Sequence, residues 1–155
     1  MIATAASPGA QQDDEGYLLT GLGVIHPWLC DAMGHLTTRF YTAFFDDASW
    51  HLFAELGYVE ATARAEGWGW ADVVTTTEYK GEIGAGGLIR VKSRIIAIGN
   101  SSLAAEHLLC ERSSGAVCAR MEAKTVCFDL VARRSRPLPD SIRAAATGML
   151  PAAAA

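Results

Sequence analysis

The chain has little that would place it in a membrane or on a nucleic acid. No apolar run approaches the roughly 18 residues that a membrane-spanning helix needs. The N-terminus has no basic segment followed by an apolar one, so it does not resemble a signal peptide. The formal net charge of −4 argues against a general nucleic-acid binder, which normally presents a basic surface. We therefore expect a cytoplasmic protein.

Cysteine is scarce, and its spacing suits neither zinc nor a redox pair. None of the four cysteines forms a C-x-x-C pair, and no cysteine–histidine spacing is typical of a metal site. The pattern predicts reduced, mostly buried thiols and structural histidines. The residues concerned are Cys30, Cys110, Cys118 and Cys127, with His26, His51 and His107. Cys30 lies beside an acid and remains a minor candidate for a nucleophile.

Half of the 155 residues are apolar, which is enough to bury the core of one domain of ordinary size. We assign residues 17–146 to this domain. Residues 1–16 are small, polar and acidic, and we expect them to form a flexible tail. Residues 147–155 are expected to form a second, disordered tail.

One long segment has the periodicity of an amphipathic helix. Between Thr37 and Gly57, apolar side chains recur at spacings of three and four, which places them on one face. Thr37 or Thr38 can cap the start of this helix, and Gly57 is a natural stop. Trp50 and Phe53 fall off the main face, so they either form a second contact surface or cover loops.

The remaining segments alternate as strands do and are separated by glycine-rich turns. Strands are predicted at 17–25, before the helix, and at 70–80, 88–98, 103–112 and 116–129, after it. Short turns predict that the last four strands form antiparallel hairpins with one buried and one solvated face. One helix beside an antiparallel sheet of about five strands is an α+β domain.

The connection between the first strand and the helix carries the most informative residues. It places Asp31, Gly34 and His35 within a short span. A carboxylate here can activate water or attack a carbonyl, and the free N–H groups of a helix N-terminus can hold the resulting oxyanion. The residues alone favour a turn-stabilising aspartate, which is the commoner role.

This element order resembles the hot-dog fold thioesterases, in particular the 4-hydroxybenzoyl-CoA thioesterase-like group. In these proteins a sheet wraps around the long helix, and an Asp-x-x-Gly, often followed by His, precedes it, as in Asp31-Ala32-Met33-Gly34-His35. The resemblance covers about residues 17–140. It implies an acyl-CoA thioesterase that hydrolyses an acyl- or aroyl-CoA thioester to the free acid and CoA, without a metal or organic cofactor.

The resemblance also implies roles for the motif. Asp31 would act as nucleophile or as general base, and Gly34 would let the backbone approach the thioester closely. His35 would touch the substrate or support the loop. Members of this fold pair two sheets edge to edge with the site at the interface, which implies a homodimer or a homotetramer.

Further candidate substrate contacts lie near the start of the long helix. The backbone N–H groups of Leu36, Thr37, Thr38 and Arg39 are the candidate oxyanion hole. Tyr41 stands where the family often carries a tyrosine. One departure is that many members have an asparagine soon after the Gly-His, where this chain has Thr37-Thr38-Arg39.

Two basic clusters are candidates for binding the phosphates of coenzyme A. They are Arg90, Lys92 and Arg94 on one strand face, and Arg133, Arg134 and Arg136 near the C-terminus. The alternative for each is a solvated surface. For the acyl group, the sequence offers only aromatic candidates for a pocket, namely Trp28, Phe40, Phe44, Phe45 and Trp70.

Two other functions remain alternatives. One is a hot-dog hydratase or dehydratase acting on acyl thioesters, whose catalytic histidine and acid follow a different pattern. The other is a non-catalytic acyl-CoA-binding module. Release of a free thiol from acyl-CoA would distinguish the thioesterase from both.

Overall fold

The computed structural model describes residues 12–13 and 15–151. Most of the expected N-terminal tail, and the last four residues of the expected C-terminal tail, lie outside these ranges. Described residues of the first tail contact the rest of the protein, and the Glu15 carbonyl accepts a hydrogen bond from Arg94 at 3.0 Å. Asp13 pairs with Lys92 at 2.8 Å, and the Gln12 side chain donates hydrogen bonds to the carbonyls of Gly16 and Met149.

The domain contains one long helix, two short helices and an antiparallel sheet. The elements in chain order are β1 (Leu18–Val24), a 3₁₀ turn (Pro27–Leu29), α1 (Thr38–Glu55), α2 (Glu60–Ala65), β2 (Trp68–Tyr79), β3 (Leu88–Ile98), β4 (Ser102–Glu111), β5 (Val117–Asp129), β6 (Arg134–Ser135) and α3 (Asp140–Met149). The α+β class, the long helix and the five main strands are therefore confirmed. Helix α3 continues beyond the boundary expected at residue 146, because Ile142 and Ala146 anchor it in the core.

The strand order is β1-β3-β4-β5-β2, with β6 added to β5, and all pairs are antiparallel. Hairpins join β3, β4 and β5 as predicted. The prediction of a hairpin between β2 and β3 is wrong, because β2 pairs with β5 at the far edge of the sheet. The segment from Lys80 to Gly87 instead crosses the end of the sheet, where Ile83 accepts a hydrogen bond from Leu36 and Gly87 accepts one from Ile25.

Helix α1 packs its apolar face on one side of this sheet. Phe45 and Leu52 of α1 are completely buried, as are Ile95 of β3 and Leu109 of β4. Burying one such side chain contributes roughly 1.5–3 kcal/mol relative to exposure. The predicted alternation in β3 is confirmed, since Ile89, Val91, Ser93 and Ile95 are buried and the basic residues between them reach the outer face.

The interface between α1 and the sheet also contains a polar group. His107 of β4 is almost fully buried, with Nδ1 2.6 Å from Ser93 Oγ and Nε2 3.3 Å from Ser49 Oγ. Burial lowers the pKa of His107 to about 4. The imidazole is therefore neutral at pH 7, and its two nitrogens tie the helix to the sheet.

On the outer face, Glu106 is the centre of a charge network. Its carboxylate accepts hydrogen bonds from Tyr17 at 2.5 Å, Arg94 at 2.9 Å and Arg120 at 2.5 Å. Burial alone would raise the pKa of Glu106, but these three donors hold it below its usual value. Arg94 contacts Glu106 through Nε and Nη2, and its Nη1 donates to the Glu15 carbonyl at 3.0 Å. Among the described residues, no helix is long and apolar enough to cross a membrane.

Candidate active site

The Asp31 loop is a compact turn held at the start of α1. The Asp31 N–H donates to the His35 carbonyl at 2.9 Å, and the Gly34 N–H donates to the Asp31 carbonyl at 3.0 Å. Gly34 has φ +82°, a left-handed conformation that favours glycine. An added Cβ would meet nothing within 4 Å, so it is the backbone conformation, and not crowding, that requires glycine here.

The Asp31 carboxylate stabilises this turn and keeps one oxygen free. Its Oδ1 accepts hydrogen bonds from the N–H groups of Met33 at 2.8 Å and His35 at 3.3 Å. Within the described part of the chain, no donor is bonded to Oδ2. The side chain is exposed. The turn-stabilising role and a chemical role are therefore compatible, because they use different oxygens.

The N-terminus of α1 narrows the choice of oxyanion donors. The Leu36 N–H is bonded to the Ile83 carbonyl at 2.8 Å, and the Thr37 N–H to the Leu29 carbonyl at 3.1 Å. These two of the predicted donors are thus occupied. The N–H groups of Thr38 and Arg39, the first two of the helix, have no acceptor among the described residues and are free to bind an anion.

Thr37 is the N-cap of α1, but its side chain makes no capping hydrogen bond. Its Oγ1 is buried and has no partner in the part of the chain that the structure describes. A buried hydroxyl without a partner is costly unless a ligand or water satisfies it. Among the predicted substrate contacts, Thr37 therefore has an unpartnered hydroxyl at the N-cap of α1.

His35 and Tyr41 both hold the neighbouring crossing segment. His35 Nε2 lies 3.4 Å from a Glu82 carboxylate oxygen, and the backbone of His35 bridges to Gly84. The buried Tyr41 donates its hydroxyl to the Gly81 carbonyl at 3.2 Å. Burial raises the pKa of Tyr41, so the phenol stays protonated. For both residues, the contacts seen are those of loop support.

The predicted basic residues are not all brought to this loop. Ser93 faces α1 through His107, so Arg90, Lys92 and Arg94 lie on the opposite face of the sheet. Lys92 pairs with Asp13, and Arg94 pairs with Glu106. Arg90 pairs with no carboxylate among the described residues. It lines an open groove of about 690 Å³ together with the equally unpaired Arg112, which the sequence analysis did not single out.

The C-terminal basic cluster lies at the other end of the sheet. Arg133 and Arg134 follow the last residue of β5, whereas the crossing segment beside Asp31 bonds to Cys118 near its first residue. A strand of this length, 13 residues, spans about 40 Å. Within one chain, this cluster and Asp31 are therefore far apart.

The aromatic residues predicted as candidates for an acyl pocket do not all lie together. Phe45 is fully buried in the core, and Trp28 is 70% exposed, stacked on His26 at 4.3 Å. Trp70 packs against Phe53 between α1 and β2, at a ring distance of 4.7 Å. The position of Trp50 and Phe53 off the main helix face was the sequence signal for this second contact surface.

Residues 25–146 match the family described as the Thioesterase-like superfamily. Similar solved structures include hypothetical protein SAV2348 from Staphylococcus aureus in complex with CoA, at TM-score 0.80 and 16% identity over 94% of this chain and 87% of that one. Slr0204, a 1,4-dihydroxy-2-naphthoyl-CoA thioesterase from Synechocystis, has TM-score 0.74 and 15% identity over 83% and 95%. YbaW, a probable thioesterase from Escherichia coli, has TM-score 0.72 and 17% identity over 85% and 98%.

No curated protein sequence matches the chain. The structural likenesses, at low identity, show the fold, which is the hot-dog fold that the sequence resemblance predicted. The family match is independent of them and spans α1, all of β2 to β5 and the Asp31 loop. The chain belongs to the thioesterase-like superfamily.

Proposed function

We propose that the protein is an acyl-CoA thioesterase that hydrolyses an acyl- or aroyl-CoA thioester to the free acid and CoA. The proposal is carried by the free Oδ2 of Asp31 in the loop that leads into α1, together with the Thr38 and Arg39 N–H groups at the start of that helix, which have no acceptor among the described residues. The family supports it, as do neighbours named as thioesterases and one neighbour in complex with CoA.

The chemistry needs a group that attacks the thioester carbonyl and a group that holds the negative charge formed on its oxygen. The carbonyl oxygen binds at the start of α1, where the Thr38 and Arg39 N–H groups and the helix dipole stabilise the oxyanion. Thr37 Oγ1 is a further donor for the same ligand. Collapse of the intermediate then expels the CoA thiolate.

Asp31 performs the first step in one of two ways. As nucleophile, its free oxygen attacks the carbonyl and forms an anhydride, which water hydrolyses. As general base, it takes a proton from water, and the water oxygen attacks directly. Gly34 and His35 keep the loop in shape, since His35 holds Glu82 and Gly34 permits the turn.

The direct test is an assay for free thiol with purified protein and a panel of aliphatic and aryl acyl-CoAs. We expect turnover of at least one ester, with one equivalent of thiol and one of acid released together. A hydratase would change the acyl chain and release no thiol, and a binding module would bind the ester unchanged. Either result across the whole panel would contradict the proposal.

For CoA, we propose that Arg90 remains the best placed of the predicted phosphate contacts. It is the one member of its cluster without a carboxylate partner among the described residues, and its Nε is buried without a hydrogen-bond partner. Lys92 and Arg94 would have to leave Asp13 and Glu106 to bind a phosphate. Charge-assisted hydrogen bonds such as those of Lys92 to Asp13 and Arg94 to Glu106 are strong, so breaking them would cost free energy. Arg90 has no such bond to break.

We also propose that the protein assembles as a homodimer through the edge strand β2. Its middle residues Val73 and Val74 are exposed by 53% and 57%, and an apolar edge with unpaired backbone groups is a template for strand pairing. Light scattering should therefore give twice the chain mass of 16.5 kDa, or four times for a homotetramer. Replacing Val74 by lysine should shift the mass toward the monomer, whereas Val131→Lys, in an exposed turn, should not. An active monomer at micromolar concentration would contradict the shared interface.

A further inference from the structure

A basic groove of about 690 Å³ lies on the outer face of the sheet, where β1 pairs with β3. In this pairing Leu22 lies opposite Arg90. Leu19 lies opposite Lys92, and Arg112 directly follows the last residue of β4. The groove thus combines three cations with two exposed leucines. Its volume is within the range of small-molecule sites, roughly 300–1,000 Å³.

Two of the three cations have no anion to bind within the described part of the chain. Neither Arg90 nor Arg112 pairs with a carboxylate there, and the Nε of Arg90 is buried without a hydrogen-bond partner. A buried N–H without an acceptor is costly, so each one in a folded protein needs an explanation such as a water or a ligand. This donor indicates a ligand that carries acceptor oxygens and negative charge.

The third cation, Lys92, is paired with a carboxylate from the N-terminal segment that precedes β1. Asp13 Oδ2 lies 2.8 Å from Lys92 Nζ, and Asp13 is the one acid among the described residues that line the groove. Its Oδ1 accepts hydrogen bonds from the N–H groups of Glu15 at 3.1 Å and Tyr17 at 2.9 Å, which hold the carboxylate in place. The groove keeps an excess positive charge of two, although the whole chain has a net charge of −4.

These charges and the apolar wall favour the phosphate of a nucleotide as the ligand. A phosphate group carries up to two negative charges and several acceptor oxygens, and guanidinium groups bind it through paired hydrogen bonds. Leu19 and Leu22 are exposed by 55% and 62% and offer an apolar surface for the ring part of the same ligand. An inorganic anion would leave this wall uncovered.

We infer that the groove binds a nucleotide phosphate through Arg90, Arg112 and Lys92, and that Asp13 competes with this phosphate for Lys92. The N-terminal segment is then a built-in competitor, because the bound phosphate displaces the Asp13 carboxylate from Lys92. One source of the phosphate is the nucleotide end of CoA, and for this source the inference rests on the proposed thioesterase function. The other source is a free nucleotide that acts as an effector.

Calorimetric titration with adenosine 3′,5′-bisphosphate measures the groove without catalysis. We expect saturable binding to the wild-type protein and a loss of at least about tenfold in affinity in Arg90→Gln and in Arg112→Gln, since hydrogen bonds to charged groups contribute this much. Lys124→Gln is the matched control, because Lys124 is an exposed cation of β5 that does not line the groove. It should keep the wild-type affinity. Absence of saturable binding, or an equal loss in Lys124→Gln, would overturn the inference.

Asp13→Asn tests the competition. The amide oxygen can still accept the N–H groups of Glu15 and Tyr17, whereas the negative charge beside Lys92 is lost. We expect the bisphosphate to bind at least about threefold more tightly, the scale of one partly exposed ion pair. Glu15→Gln removes the same charge from the same segment outside the groove, so its affinity should stay at the wild-type value. Unchanged or weaker binding in Asp13→Asn, or an equal gain in Glu15→Gln, would overturn the role of Asp13.

An assay for thiol release distinguishes the two sources of the phosphate. If it belongs to CoA, Arg112→Gln should raise KM for an acyl-CoA at least about tenfold and leave KM for the matching pantetheine thioester, which has no phosphate, unchanged. If it belongs to a free nucleotide, both KM values should stay unchanged, and the bisphosphate should still bind at saturating CoA.

The two proposals fail separately. Saturable binding of the bisphosphate without hydrolysis of any ester would support the groove and contradict the thioesterase function. Hydrolysis of esters without binding of the bisphosphate would overturn the groove as a phosphate site and leave the thioesterase function standing.

Discussion

Replacing Asp31 by asparagine should lower the turnover of acyl-CoA by on the order of 100-fold or more, the scale of a lost acid–base group. The amide can accept the same hydrogen bonds from Met33 and His35 through its oxygen. It cannot take a proton from water usefully, nor form the anhydride of the nucleophilic route. The loss should appear in kcat, measured by thiol release at saturating ester.

The fold should survive this change, because a loop side chain at a helix start contributes about 1 kcal/mol. Binding of a non-hydrolysable acyl-CoA analogue and the assembly state should therefore persist. Asp47→Asn, an exposed aspartate further along α1, serves as the control and should retain wild-type turnover. A folded Asp31→Asn protein that hydrolyses acyl-CoA near the wild-type rate would leave Asp31 as a turn residue only.

Acidification should destabilise the protein through His107. In the folded state the pKa of this imidazole is about 4, against 6.5 in the unfolded chain. Between these values the unfolded state binds more protons, so stability rises with pH. The contribution of His107 is complete above pH 6.5 and is lost as pH falls toward 4. The loss is on the order of 3 kcal/mol.

Urea unfolding at pH 7 and pH 4.5 measures this effect. His107→Gln should remove most of the difference that the wild-type protein shows between the two pH values, whatever its own stability. His51→Gln, at an exposed position on α1, should leave the difference unchanged. Because the glutamine variant can fail to fold, an NMR titration of the wild-type imidazoles gives a second measurement. A His107 signal that titrates near pH 6.5 in the folded protein would contradict the assignment.

The periodicity of apolar residues in the sequence was sufficient to predict the long helix and the main strands. The three- and four-residue spacing around Phe45 and Leu52 predicted α1, and the alternation around Val91 predicted β3, because a buried face imposes its own repeat on the chain. The pairing of β2 with β5 was not predictable in this way. Local turns report which strands are neighbours in sequence, whereas β2 reaches the far edge through a segment whose partners, Leu36 and Ile25, precede the helix.

The candidate site was also predictable only in part. The motif of Asp31, Gly34 and His35 could be found in the sequence because its residues are adjacent and resemble a known family. The sequence could not show which N–H groups near the helix start are free. The N–H groups of Leu36 and Thr37 are bonded to the carbonyls of Ile83 and Leu29, and these contacts join separate segments of the chain. For the same reason, the sequence did not show that Asp13 and Glu106 hold Lys92 and Arg94, or that Arg90 and Arg112 line one groove.

The sequence by itself determined the class of domain, the helix, the strands and the position of the aspartate loop, because these depend on local spacing and burial repeat. Only the tertiary structure decided which groups are free to act. Ser49 on α1 and His107 on β4 are far apart in the chain, and they lie within hydrogen-bond distance because the sheet packs against the helix. Charge, burial and hydrogen-bond partners belong to that packed arrangement, since each depends on what the other segments bring within a few ångströms.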